Sequence, residues 1–215
     1  NHDANYFHGN PETLTLAEQA GLYQADAMRC KAIPEVPFYY KDYTTARVRC
    51  IFLSAYDNRE TVRYGYDDAQ LAWLAEVLRG TPLDYKILLF SHDAPVAELD
   101  FWSSSMRGSI RLMELLETRA VEKHDILGFI HGHTHADSIH QEYAFPIISI
   151  GCAKCEDMPE KKPQGSYTAK RGIGIFTQEL WDILVIEPEQ MQLSFIRFGA
   201  GKDRSIRANL SSRAR

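Results

Sequence analysis

At 215 residues and 24.6 kDa the chain has the size of one domain, long enough to bury roughly 70% of the surface that its unfolded form exposes. Hydrophobic residues at 45% and charged residues at 25% exclude a disordered or low-complexity polypeptide, and nothing repeats along the chain. A net charge of −5 and a pI near 5.9 argue against a protein built to coat nucleic acid, and no apolar run reaches the ~18 residues a bilayer span needs.

Cys30, Cys50, Cys152 and Cys155 are too few and too unevenly placed for a secreted disulfide framework, so the expectation is a soluble, cytoplasmic protein with no membrane partner. The chain opens at Asn1 without Met, so its native start is expected upstream, with a leader there left open.

The first stretch, about residues 8–66, is an aromatic-rich insert holding Tyr23, Phe38, Tyr56, Tyr64 and Tyr66 among turn residues. Aromatics with polar tips suit a cap over a site, while the plainer expectation is that they pack a hairpin of Phe38–Tyr43 and Val48–Ser54. Next, Asp67 or Asp68 caps a helix whose apolar positions Leu71, Leu74, Ala75 and Leu78 follow helical spacing, with Gly80 as its stop. Tyr85–Phe90 then reads as a strand buried on both faces and ending at Ser91-His92-Asp93.

The same alternation recurs. Ser109–Val121 carries Ile110, Leu112, Met113 and Leu116 at helical spacing, and Ile126–Ile130 is a second buried strand ending at His131-Gly132-His133. Pro146–Ile150 is a further strand, and Leu180–Ile186 with Met191–Phe198 forms a hairpin through Glu187-Pro188-Glu189-Gln190. The predicted fold is a layered α/β sandwich with mixed sheets flanked by helices, a domain over residues 1–200 followed by a solvated basic tail over 201–215.

Chemistry concentrates where strands end. Asn1-His2-Asp3, His92 and Gly132-His133-Thr134-His135 offer imidazole nitrogen, carboxylate oxygen and amide oxygen, a donor set for Zn, Mn or Fe. The His-x-His spacing places two imidazoles on one side of an extended segment, and Gly132 keeps a Cβ away from a metal approached by backbone. Ligands in layered α/β folds gather beyond the carboxyl ends of strands, so His92 and His133 meet at one sheet edge.

Other signals weigh less. His131 precedes the motif and reads as a hydrogen-bonded strand residue, His8 is a weaker candidate for substrate contact, and His124 and His140 read as surface residues. Cys152-x-x-Cys155 lacks a second pair and reads as packing thiols, while Gly172-Ile173-Gly174 lacks a third glycine and the strand of a dinucleotide fingerprint. Lys154, Lys161, Lys162, Lys170 and Arg171 form a basic loop, solvated or able to steer anions.

Asn-His-Asp, a strand-terminal histidine and Gly-His-x-His, in that order, resemble the calcineurin-like metallophosphoesterase superfamily over most of the chain; Gln70-Leu71-Ala72-Trp73-Leu74 and Phe195-Ile196-Arg197-Phe198-Gly199 look like features of its bacterial members. The resemblance implies two divalent ions (Mn, Fe or Zn) and hydrolysis of a phosphate mono- or diester, on a small or medium substrate, by attack of a metal-bridging hydroxide. It further implies Asn1, His92 and His133 on the second ion, His135 on the first, His2 as acid toward the leaving oxygen, and Asp3 orienting His2. The family's earlier Asp-x-His and Gly-Asp-x-x-Asp motifs do not occur in this chain, so the ligand set is expected to be partial. The alternatives are a non-catalytic binding module, and a pyrophosphatase or nucleotidase on the same fold.

Overall fold

In the computed structural model, residues 13–23, 31–32, 36–57, 60–100, 102, 105–156 and 166–208 are described. Asn1, His2, Asp3, His8, Cys30, Lys161 and Lys162 lie outside them. The expected helix appears as α2, Asp68–Arg79, after a short α1, Leu16–Tyr23, that the sequence pattern did not announce. Asp67 caps α2 by accepting from the Gln70 amide at 2.7 Å, and Leu71, Leu74 and Leu78 are buried as their spacing predicts.

The second expected helix is α3, Ser109–Lys123. Its buried stripe runs through Leu112, Met113, Leu116, Arg119 and Ala120, so Ile110, expected on that stripe, stands 75% exposed. Ile110 precedes Leu112 by two residues, roughly 200° round a helix of 3.6 residues per turn, so it falls on the solvent side; the Arg119 guanidinium reaches inward to Asp125 and to the Leu78 carbonyl at the end of α2, joining the two helices.

Seven strands form the main sheet in the order β1-β2-β3-β4-β5-β7-β6: Lys31–Ala32, Tyr39–Tyr43, Val48–Phe52, Lys86–Phe90, Ile126–His131, Ile147–Ile150 and Asp137–His140. β2 and β3 are the expected antiparallel hairpin, whereas β3, β4, β5 and β7 run parallel, so their carboxyl ends share one edge. Side chains on this inner stretch alternate between two buried layers, which is why it reads as continuous apolar runs. Ile51, Ile87, Leu89, Phe129 and Ile147 pack under α2 and α3, and Val48, Cys50, Leu88, Ile130 and Ile148 face the other way.

Against that second face lies a smaller sheet, β10-β9-β8, built from the predicted hairpin β8 (Leu180–Glu187) and β9 (Gln192–Gly199) plus β10 (Arg204–Arg207). Leu193, Phe195 and Ile206 point inward from it. Residues 204–207 were expected in a solvated basic tail and are instead a strand with Arg204 only 4% exposed. The reason is a buried charge quartet: Arg197 Nε and Arg204 Nη1 donate to Asp182 at 2.8 and 3.0 Å, and Arg197 Nη2 and Arg204 Nη2 reach Asp137 at 2.6 and 2.8 Å. Burial pushes the Asp182 carboxyl up, but hydrogen bonds from Arg197 and Arg204 outweigh it and hold the group below its ordinary range.

The quartet ties the small sheet to β6, which starts two residues after His135. Among the described residues no helix is long and apolar enough to cross a membrane.

Candidate metal centre

Loops after β4, β5 and β7 supply the site, and the backbone fixes how they meet. The Ser91 amide donates to the Ile130 carbonyl at 3.0 Å and the Gly132 amide to the His92 carbonyl at 3.0 Å, lacing the two loops together just past their strands. Beneath them the buried Tyr66 hydroxyl donates to Ser91 Oγ at 3.1 Å, and lies 3.3 Å from the Asp93 carbonyl. Tyr66 is one of the aromatics of the insert, and it supports the His92 turn from the core.

Gly132–His135 is not the extended segment that the sequence suggests. The Thr134 amide folds back on the Gly132 carbonyl at 2.6 Å, and His133 and His135 both take φ of 57°. Left-handed backbone at a non-glycine residue costs of order 1–3 kcal/mol and persists where surrounding structure over-determines it. Here Thr134 and Ser149 hydroxyls, 2.8 Å apart, together with the Gly151 amide on the Ala136 carbonyl at 2.7 Å, hold the turn. A Cβ at Gly132 would meet His92 at ordinary contact distances of 3.8 and 3.9 Å, so no protein atom forbids it, and the space lies on the His92 side.

His92 and His133 come together as predicted: His133 Nδ1 lies 3.1 Å from His92 Nε2. Asp93, which carried no role in the sequence reading, completes a donor group with them, its carboxylate 3.6 Å from His133 Nδ1. Asp93 is fully buried, and among the described residues neither carboxylate oxygen accepts a hydrogen bond. Burial and then the neighbouring Asp100 carboxylate push its carboxyl up to about 8. A buried carboxylate without a donor, facing two imidazoles, is the arrangement a divalent cation satisfies, so these three residues fit such an ion.

His135 turns to a different group. Its Nδ1 is 2.6 Å from Glu156 Oε2, and it clusters with Cys152 and Glu156 from the loop after β7. Cys152 was expected to be a packing thiol, yet it is a member of a donor group; its partner arrives from another loop. Arg171, expected in a basic loop, is 7% exposed and donates to the carbonyls of Cys152 and Lys154, each at 2.6 Å, and Ala153 at 3.2 Å. It shapes the loop rather than steering anions.

The aromatics of the insert pack inward and against His133. Phe38, Tyr56 and Tyr66 are buried, while Tyr64 stacks obliquely on His133 with ring centres 5.0 Å apart and touches Tyr56 at 5.3 Å. Tyr56 also borders an open cleft of about 1000 Å³ beside α1, with Ser54, Asp57 and Arg107 on its walls.

His131 is the strand residue expected, 1% exposed, its Nδ1 3.1 Å from the Gly132 carbonyl. Burial lowers its imidazole to about 4, only partly opposed by that hydrogen bond. The folded chain therefore keeps His131 neutral where the unfolded chain, with an ordinary value of 6.5, takes up a proton. Stability from this residue is present above 6.5 and is lost as pH falls toward about 4, about 3 kcal/mol in all. Denaturant unfolding of His131→Gln across that window should show a shallower pH slope than the parent chain; equal slopes would place the acid sensitivity elsewhere.

No protein-family profile matches the chain, and no curated protein matches it. Among solved structures it is similar to a dimetal phosphatase from Danio rerio, with a TM-score of 0.57 over 91% of this chain at 13% identity. The chain has the fold of a dimetal phosphatase. It spans 66% of that neighbour's length.

Proposed function

We propose that the chain is part of a calcineurin-like, metal-dependent phosphoesterase that hydrolyses a phosphate mono- or diester. The observation that carries this reading is the buried Asp93 carboxylate, which accepts no hydrogen bond among the described residues, set against His92 and His133 at the parallel edge of a fold shared with a dimetal phosphatase. Two divalent ions, when bound, supply Lewis acidity at phosphate oxygens and lower the pKa of a water.

The chain's own residues do the rest. His92, Asp93 and His133 hold one ion, with the Asn1 amide oxygen as a further ligand, and His135 serves the other. His2, oriented by Asp3, gives a proton to the leaving oxygen as the P–O bond breaks. Tyr64 packs His133 in place, and the cleft along Tyr56 receives the organic part of a small or medium ester.

The test is hydrolysis of an aryl phosphate, a bis-aryl phosphate and a pyrophosphate ester by this chain and by a version extended upstream, with Mn²⁺ or Zn²⁺ and after chelation. The expected result is ester hydrolysis that chelation abolishes and either ion restores. Tightly held ions without turnover of any ester, in both versions, would overturn the reading in favour of a binding module.

A further inference from the structure

We infer that His135, Cys152 and Glu156 form a thiolate-containing cation site that prefers Zn²⁺, so that the two donor groups of this edge differ in the metal they select. One nitrogen of His135, the Cys152 sulfur and a Glu156 oxygen all lie within 4.8 Å of one another, close enough for small side-chain rotations to close on a single ion. A sulfur donor favours Zn²⁺ over Mn²⁺ or Mg²⁺, whereas the His92–Asp93–His133 group offers only nitrogen and oxygen. Three protein donors leave a fourth position of a tetrahedral ion open.

The donors are held in place from behind. His135 sits on a left-handed backbone fixed between Thr134 and Ala136, and Asp137 two residues on is locked into the buried quartet. On the other side the Arg171 guanidinium gathers the carbonyls of residues 152–154, so the loop bearing Cys152 keeps its shape. Lys154 pairs with the second Glu156 oxygen and leaves Oε2 turned toward His135. Outer partners that orient ligands in this way typically change metal affinity by about 10–100-fold. On binding, the sulfur–metal bond forms as the Cys152 S–H proton leaves to solvent, and the partial exposure of all three residues gives the ion a way in.

The inference rests on the reading of this edge as a metal centre, but not on hydrolysis. Co²⁺ alone is the probe, because a thiolate-to-cobalt charge-transfer band in the near ultraviolet reports sulfur ligation directly. The expected result is a band that saturates with a single ion per chain, is bleached by Zn²⁺, persists in Cys155→Ser and His133→Ala, and vanishes in Cys152→Ala with its circular dichroism unchanged. Absence of the band from the folded parent chain, or its survival in Cys152→Ala, would overturn the assignment. Sulfur-bound cobalt, with no ester hydrolysed by either the chain or its upstream-extended version, keeps this inference and sinks the phosphoesterase reading; metal-dependent hydrolysis without the band does the reverse.

Discussion

Asp137→Ala is expected to lower stability by about 3–5 kcal/mol, seen as a fall in thermal midpoint of roughly 6–20 °C. Asp137 is fully buried, and the side chains of Arg197 and Arg204 that it meets are 2% and 1% exposed. Two guanidiniums share two carboxylates in the quartet, so removing one leaves a buried cation with only Asp182 to divide between both arginines. The cost is that of an uncompensated charge in a low-dielectric interior, which is far larger than the net value of the pair itself.

The control is Asp84→Ala, whose partner Arg47 lies 3.6 Å away with both side chains more than half exposed. Such a pair contributes no more than about 1 kcal/mol. Equal midpoint losses in the two variants would show that the quartet adds nothing beyond a surface ion pair. The larger loss should come with a displaced His135, since β6 begins at Asp137.

The second large effect concerns the chemistry. His133→Ala is expected to reduce metal-dependent ester hydrolysis about a thousandfold, because an ion's stabilisation of transition-state charge is worth several kcal/mol and about 4 kcal/mol corresponds to that factor. His133 touches His92 and faces Asp93, and Tyr64 covers its ring, so no neighbouring imidazole stands ready to replace it. Elemental analysis should show the variant losing one ion while cobalt–sulfur ligation at Cys152 remains.

His140→Ala provides the comparison: its ring pairs with Glu142 at 3.3 Å and belongs to neither donor group, and hydrolysis should be unchanged. Activity of His133→Ala within tenfold of the parent would remove His133 from the ion-binding set.

Elements with local signals were legible from sequence. Helical spacing placed α2 and α3, and apolar runs bounded by turn residues placed β3, β4, β5, β7 and the β8–β9 hairpin within a few residues. What failed depended on distant partners. Arg204 looks like tail chemistry until Asp137 and Asp182 neutralise it.

The site divided along the same line. Strand-end position brought His92 and His133 to one edge, but Asp93 lacks the spacing of a ligand motif, and only tertiary packing sets it against them with no hydrogen-bond donor among the described residues. Cys152 and Glu156 follow a strand that runs parallel to β5, a signal of shared edge that pairing His135 with the loop after β7 could have used. Spacing alone could not, since the three donors come from two loops.

The left-handed backbone at His133 and His135 narrows what drift at these positions can leave behind. Branched and bulky side chains clash there, whereas glycine, asparagine and aspartate settle without penalty or nearly so. Two of those three replacements still present an oxygen toward a cation. A descendant of this chain that abandoned its imidazoles would therefore tend to trade one ligand chemistry for another, or for bare backbone, before filling the turn with hydrocarbon.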